Sequence, residues 1–251
     1  MDYKSDFEEG MCHVSMGGMR YMHHAGTGAP ITFLHGLGSS AEEWSKTVEY
    51  LPDTADVYLI DMLGFGGSEK PELGYGATLH AQMFREFIAL QEGSAPGYVV
   101  GHSYGGWVAA HYASMPFPLK GLILISPAGL HEYIAELSRS PNRANIRQRM
   151  IDEAMAYGNN ERHVIESILD SNPLIEELNS DILSSISRPT LILWGSEDKV
   201  VDSKYANIFS KNIKGSALEM IKGAGHSPNI DKPAEVAADI TAFILKCQAL
   251  G

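Results

Sequence analysis

Positive charge, cysteine and long hydrophobic runs are what this sequence has least of. Lys and Arg number 19 against 31 Asp and Glu, a formal balance of −12. A surface that acidic repels phosphate backbones and anionic headgroups, so nucleic acid is not an expected partner. The two cysteines, Cys12 and Cys247, lie near opposite ends. They have neither CxxC nor metal-type spacing, which fits isolated thiols in a reducing compartment and points to the cytoplasm. No apolar run approaches the ~18 residues of a membrane span. The opening MDYKSDFEEG is acidic and lacks the basic start and apolar stretch of a secretory signal. No repeat recurs at a period of about 20 to 50 residues. A soluble protein is expected, with no nucleic-acid partner and no membrane span.

What the chain does have is enough apolar material for a large core. Over 251 residues it is 44% hydrophobic and 20% charged, which reads as globular and as one domain with room for an insertion. Short apolar runs recur at Ile31 to Leu34, Val57 to Ile60, Tyr98 to Val100, Leu122 to Ile125 and Leu191 to Trp194, with a strand-like stretch at Leu218 to Ile221. Such runs, separated by helical patterns, are what strands buried on both faces of a parallel sheet look like. The intervening helices read as Ala41 to Leu51, Thr78 to Gln91, Tyr104 to Met115, Ser203 to Asn212 and Pro233 to Gln248. Two antiparallel edge strands are expected at Met11 to Met16 and Arg20 to His24. From Pro127 to about Ser187 the alternation stops, and helical segments broken by Pro141, by Gly158-Asn159-Asn160 and by Pro173 take over. A structureless loop that long is unusual in a compact domain. The expected organisation is an α/β core over 1–126 and 185–251, with a small helical cap inserted at 127–184.

The stretch GYVVGHSYGGWVAAHYA, residues 97 to 113, ends an apolar run at Gly101-His102-Ser103-Tyr104-Gly105-Gly106 and at once begins a helical one. The pattern G-x-S-x-G between strand and helix is the context a nucleophile elbow requires, with small neighbours around a sharply turned serine. A glycine-rich turn with an incidental serine is the competing reading of that stretch alone. A serine hydroxyl needs a base within reach, and the base needs an orienting acid. Both follow in the order Ser, acid, His: Trp194-Gly195-Ser196-Glu197-Asp198 after one strand and Gly223-Ala224-Gly225-His226 after the next. Both lie at carboxyl ends of strands, the edge where open α/β sheets bind ligands. Phe33-Leu34-His35-Gly36-Leu37-Gly38 closes an early strand with a turn that can supply a second oxyanion donor, which makes the backbone N–H groups of Leu37 and Tyr104 the candidate pair.

The ordered set HGLG at 35–38, DMLGFGGS at 61–68, GHSYGG at 101–106, WGSED at 194–198 and GAGHSP at 223–228 resembles the α/β-hydrolase fold family over nearly the whole chain, weakening only in the insertion. The resemblance implies a mostly parallel sheet flanked by helices, with Ser103 as nucleophile, His226 as general base and then acid, Asp198 as orienting carboxylate, and Leu37 and Tyr104 as oxyanion donors. The family spacing counted from Gly195 selects Asp198 over Glu197. No metal or organic cofactor is required. Branches with an Asp nucleophile are set aside by Ser103, and those carrying HGGG by HGLG. Carbon–carbon bond hydrolases often show Trp after the catalytic His, where Ser227 stands here.

Among the other polar residues, His13, His23 and His24 read as packing or surface histidines. His102 is expected to point away from the Ser103 hydroxyl, His35 to support the oxyanion turn, and Asp61 to brace the loop it opens. In the insertion Arg139, Arg143 and Arg147 recur at every fourth position, and Arg149 is near. The ordinary expectation is a solvated face paired with acids; the sharper one is an arginine turned into the cleft to bind a substrate carboxylate. Leu130, Ile134, Met150, Ile151 and Met155 are expected to cover the cleft, with Leu130, Ile134, Met150 and Met155 as substrate contacts. The function this reading favours is a serine hydrolase, carboxylesterase-like, cleaving short- to medium-chain esters of a small-molecule substrate as a monomer or homodimer. Carbon–carbon cleavage of a diketo acid, lactone hydrolysis, perhydrolysis, acyl transfer to an alcohol, and a non-catalytic ligand-binding role on the same fold stay open.

Overall fold

The computed structural model describes residues 5–91, 97–157, 159–171 and 173–250. One eight-stranded sheet organises them, in the order β1-β2-β4-β3-β5-β6-β7-β8. The strands are β1 (Glu8–Val14), β2 (Gly17–His24), β3 (Ile31–Leu34), β4 (Val57–Ile60), β5 (Tyr98–His102), β6 (Gly121–Ile125), β7 (Thr190–Gly195) and β8 (Ala217–Ile221). β1 pairs with β2, and β2 with β4, antiparallel; every pairing from β4 to β8 is parallel.

The helices are α1 (Ser45–Val48), α2 (Ala77–Gln91), α3 (Tyr104–Ser114), α4 (His131–Arg139), α5 (Arg143–Ala156), α6 (Arg162–Leu169), α7 (Pro173–Glu176), α8 (Ser180–Ser185), α9 (Ala206–Asn212), α10 (Pro228–Asp231) and α11 (Pro233–Leu250). Among the described residues no helix is long and apolar enough to cross a membrane.

The inner strands read as unbroken apolar runs because both of their faces are covered. Ile31 and Phe33 of β3, Val57 and Leu59 of β4, Tyr98 and Val100 of β5, and Leu191 and Leu193 of β7 point into one cluster with Trp44, Val48, Val236 and Ile240. The alternate residues, among them Leu34, Ile60, Val99, Leu122, Leu124, Ile192 and Trp194, enter a second cluster with Phe84, Val108 and Phe209. Period-two alternation of the side chains thus feeds two cores. Helices α4 to α8 fill the interval between β6 and β7. Leu130 just ahead of α4, with Ile151, Val164, Ile165, Ile168 and Leu183 of these helices, belongs to the second cluster, so the helical segment shares a core with one face of the sheet.

Several boundaries differ from the sequence expectation, each for a local reason. β1 ends at Val14 because Ser15 and Met16 form the two-residue link that pairs Val14 with Gly17. β5 continues through Gly101 and His102, which still pair with Leu124 and Ile125. The helix expected over Ala41 to Leu51 is a 3-10 turn at Ala41–Trp44 followed by the four-residue α1. It closes with short-range bonds from Tyr50 and Leu51 to Thr47 and Val48 (3.2 and 3.1 Å) ahead of Pro52. Arg139 ends α4 and Arg143 opens α5, so Pro141 splits the arginine series between two helices. The break expected at Gly158 lies outside the described residues.

The turn after β5 depends on its glycines. A Cβ at Gly105 would overlap the carbonyl oxygens of Leu34 and His35 at the end of β3, and one at Gly101 would overlap the Gly105 carbonyl. The first turn of α3 therefore sits directly on the neighbouring strand end. Because the obstacle is backbone in the middle of the sheet, Gly105→Ala is expected to destabilise the fold by about 3 kcal/mol, the upper range of overpacking costs. Urea unfolding checks this; a loss under ~1 kcal/mol would show that β3 and α3 can separate without penalty.

Candidate active site

Ser103 stands between β5 and α3 with φ 50° and ψ −113°. Ser103 and Ser126 are the non-glycine residues with positive φ among those described, a conformation that costs on the order of 1–3 kcal/mol and persists where its surroundings over-determine it. Three bonds do so here. The Ser103 N–H donates to the Ile125 carbonyl (3.0 Å), and the Ser103 carbonyl accepts from Trp107 N–H (3.1 Å) and Ala128 N–H (3.0 Å). The hydroxyl is thereby lifted out of the sheet toward the loops after β7 and β8.

Those loops bring the other two residues to it. The Ser103 hydroxyl donates to His226 Nε2 (2.9 Å), and His226 Nδ1–H donates to Asp198 Oδ2 (2.8 Å). The carboxylate only accepts, so Nδ1 holds the proton and Nε2 faces the serine as acceptor. Asp198 is wholly buried while His226 is partly open. The other Asp198 oxygen accepts from the N–H groups of Val200 (2.8 Å) and Val201 (3.0 Å), which fixes the carboxylate plane. Glu197, its neighbour, is exposed.

Leu37 and Tyr104 line the same cavity as Ser103. Their backbone N–H groups donate to no other described residue, and Tyr104 opens α3, where the orphan N–H groups of a helix favour negative charge. The Gly36–Leu37 turn is braced from behind. His35 Nδ1–H donates to the Gly36 carbonyl (2.8 Å), its Nε2 accepts from Met62 N–H (3.1 Å), and the Gly36 N–H donates to Glu43 (3.0 Å). Asp61, fully buried, accepts from Ala41 N–H (2.6 Å), Gly67 N–H (2.7 Å) and Arg20 (2.9 Å), tying the next loop to β2.

A cavity of about 420 Å³ opens over Ser103. Its floor carries Leu37, Tyr104 and Trp107, and its roof comes from Tyr133, Ile134 and Leu137 of α4, Ile146 and Met150 of α5, and Ile168 of α6. Ile134 and Met150 thus stand where the sequence reading placed them. Leu130 and Met155 do not line this cavity. Leu130 is buried in the core cluster and its backbone bridges to Leu178, while Met155 packs against the same cluster. Both fall on the core side of their segments, a distinction that apolar character alone does not encode. Trp107, Tyr133 and Leu137 were not anticipated. Trp107 follows the elbow by one helical turn and could have been suspected from that position; Tyr133 and Leu137 carried no signal.

The arginine series divides. Arg147 grips Asp170 through two bonds (3.0 and 2.6 Å), and Arg149 approaches Glu153 at 3.7 Å, as a solvated face would. Arg143 and Arg147 both reach the cavity wall. Arg139 stands apart, beside a surface depression with His131 and Glu136. Of the other histidines, His23 bonds Asp56 (2.7 Å) and stacks on Tyr58, and His24 bonds the carbonyls of Asp6 (3.1 Å) and Asp53 (3.0 Å).

Beneath the cavity floor, His80 Nε2–H donates to the Leu63 carbonyl (2.8 Å) and Nδ1 accepts from the Tyr104 hydroxyl (2.7 Å). Burial pushes His80 down to about 4 and raises the Tyr104 phenol well above its ordinary range. The tyrosine therefore keeps its proton and its ring is held in place.

With the sheet, the strained serine turn and the Ser103–His226–Asp198 chain described, the molecule has the architecture of an α/β hydrolase. The sequence profile of the alpha/beta hydrolase family matches residues 33–239, and the chain belongs to that family. It is 26% identical to monoacylglycerol lipase abhd6-B of Xenopus laevis, over 87% of this chain and 76% of that protein. It is 25% identical to monoacylglycerol lipase ABHD6 of Homo sapiens, over 90% and 82%. Among solved structures, a bacterial membrane phospholipase A described as a virulence factor superposes with a TM-score of 0.80 at 24% identity, covering 97% of this chain and 87% of that one; at that identity the likeness concerns the fold.

His80 makes stability pH-dependent. In the unfolded chain its imidazole takes a proton near ~6.5, whereas the folded site resists until about 4. Between those values the unfolded state binds more protons, so its contribution is complete above ~6.5 and is lost as pH falls toward 4. Urea unfolding at about pH 7 and about pH 4 should show the parent losing about 3 kcal/mol more than His80→Gln. Equal losses in both would place the acid sensitivity elsewhere.

Proposed function

We propose that this protein is a serine hydrolase that cleaves short- to medium-chain acyl esters through an acyl-enzyme on Ser103. The observation that carries the reading is the chain Ser103 Oγ–His226 Nε2 (2.9 Å) and His226 Nδ1–Asp198 Oδ2 (2.8 Å) beneath an apolar cavity. The family supplies hydrolase chemistry, and the curated relatives bear the name monoacylglycerol lipase. A cavity of about 420 Å³ falls in the ~300–1,000 Å³ range of small-molecule sites. Its aliphatic roof suits an acyl chain.

In this mechanism His226 Nε2 accepts the Ser103 proton as Oγ attacks the ester carbonyl carbon. The N–H groups of Leu37 and Tyr104 stabilise the tetrahedral oxyanion, each such donor worth on the order of 10² to 10³ in rate. His226 then delivers the proton to the departing alcohol, leaving the acyl group on Ser103. Water, deprotonated by the same imidazole, attacks the acyl-enzyme and frees the acid. Asp198 holds the tautomer and stabilises the imidazolium in both halves.

A second reading rests on Arg143. Its side chain reaches the cavity wall without a carboxylate partner among the described residues. A substrate bearing a carboxylate, such as the diketo acid of a carbon–carbon bond hydrolase, would pair with it. Arg143→Ala separates the two: the ester reading expects neutral and carboxylate-bearing esters to be affected alike, and the second a selective loss on the carboxylate-bearing ones.

The decisive assay is p-nitrophenol release from acetate, butyrate, octanoate and decanoate esters. Ser103→Ala is expected to lower kcat by roughly 10⁴-fold or more. Ile134→Trp, which fills the roof, should lower kcat/KM for decanoate at least tenfold relative to acetate, about 1.4 kcal/mol of selective loss. An unaltered chain-length profile in Ile134→Trp would move the acyl chain out of this cavity, and a Ser103→Ala protein as active as the parent would end the acyl-enzyme reading.

A further inference from the structure

Behind the candidate triad lies a second, fully enclosed pair. His102, the residue before Ser103, turns its ring away from the cavity, and Nδ1–H donates to Glu43 Oε1 (2.7 Å) while Nε2–H donates to the backbone carbonyl of His226 (2.9 Å). The two side chains are 5% and 4% exposed. Glu43 has further partners: Oε1 also accepts from Asn229 Nδ2 (3.0 Å) and Oε2 from the Gly36 N–H (3.0 Å). The carbonyl of Asn229 accepts in turn from the Thr47 hydroxyl (2.8 Å).

The acceptors settle the charge state. A carboxylate and a carbonyl can only accept, so both ring nitrogens of His102 must carry protons and the ring is an imidazolium. Three donors converge on Glu43, the arrangement that favours an ionised carboxylate. Burial would raise Glu43, but attraction to His102 and the bonds from His102 and Gly36 bring it down to about 2. Burial would likewise lower His102, and Glu43 instead raises it.

A buried ion pair is a poor source of stability, since apolar residues of similar volume often do as well or better. What an apolar pair could not do is bond the three loops that meet here. Gly36 precedes the candidate oxyanion donor Leu37, His102 precedes Ser103, and the His226 carbonyl and Asn229 belong to the loop and short helix after β8. One pair therefore spans the three segments of chain that must agree in position for Ser103 to react.

We propose that the Glu43–His102 ion pair is the positioning device of the site, holding the Gly36–Leu37 turn, the Ser103 turn and the His226 loop in register. It acts through those backbones and touches no substrate. The inference rests on the reading of Ser103 and His226 as nucleophile and base. Either side chain loses part of the network when neutralised: Gln at 43 cannot ionise, and Gln at 102 can reach one acceptor but not both.

The test uses phosphonylation of Ser103 by a fluorophosphonate probe, which needs no knowledge of the natural ester, beside kcat and KM on p-nitrophenyl butyrate. Rates are taken per titrated site, so unfolded protein does not count. Glu43→Gln and His102→Gln should each slow labelling and kcat by ~10–100-fold with KM within about twofold, the usual scale for groups that orient reacting residues. The double variant should fall no further than the worse single, because the two act as a unit. Rates per site within about threefold of the parent in both singles would overturn the proposal and leave the pair a folding element only. A measurement on the unaltered protein guards against variants that do not fold: proton–nitrogen NMR of the His102 ring near neutral pH should report an imidazolium with both N–H protons present, and a neutral ring would overturn the proposal. Parent protein that labels at Ser103 yet hydrolyses none of the esters would sink the ester reading while leaving this inference testable.

Discussion

The backbone of Ser103 is held where a side chain is unwelcome, and most of the site follows from how that conformation is maintained. With φ at 50° the turn reverses direction in a single residue, so β5 leads straight into α3 and the hydroxyl stands at the carboxyl edge of the sheet. The strain is held by bonds to Ile125, Trp107 and Ala128, drawn from β6, from α3 and from the start of the helical segment. Parallel neighbours on both sides of β5 make this possible: β3 offers a strand end against which Gly105 packs, and β6 offers the carbonyl that Ser103 binds. The same sheet edge places the loops after β7 and β8 within hydrogen-bond reach of that hydroxyl.

Two kinds of polar chemistry meet around this turn, and burial separates them. On the open side, Ser103 and His226 share a bond beside an apolar cavity, where water exclusion strengthens any charge that develops. On the closed side, Glu43 and His102 are cut off from solvent and satisfied by one another, by Gly36, by Asn229 and by the His226 carbonyl. Buried polar groups are costly unless every bond is made, so a network that is filled on the inside constrains geometry on the outside. The His80–Tyr104 bond does a similar service for the cavity floor.

The roof is of a different character. Helices α4, α5 and α6 present aliphatic side chains to the cavity, while Ile151 and Ala154 of α5 and Val164 and Ile165 of α6 enter the core above the sheet and α4 buries no residue of its own. Apolar character alone does not sort these residues, because on α5 the adjacent Met150 and Ile151 divide between cavity and core. Ile134 and Met150 meet the cavity, whereas Leu130, ahead of α4, and Met155 pack into the core cluster. The arginines follow the same logic: Arg147 is committed to Asp170 on α6's far end, and Arg143, at the first turn of α5, is left beside the cavity.

What the sequence determined by itself is the alternation and the order. Continuous apolar runs of four or five residues announce strands covered on both faces, and G-x-S-x-G after one of them announces the turn, because only small residues tolerate its backbone approach. The candidate acid and histidine were legible because each follows a later apolar run in the order a serine nucleophile's partners would take. Glu43 was not legible: it sits beside Glu42 with no local pattern to tell them apart, yet one is sealed in the interior and the other pairs with Arg20 at the surface. His102, Asn229 and Gly36 lie 59, 186 and 7 residues from it in sequence. Which carboxylate turns inward, and which apolar residues of the roof face a cavity rather than a core, are decided by what packs against them. Such distances through the chain close only when the sheet has formed.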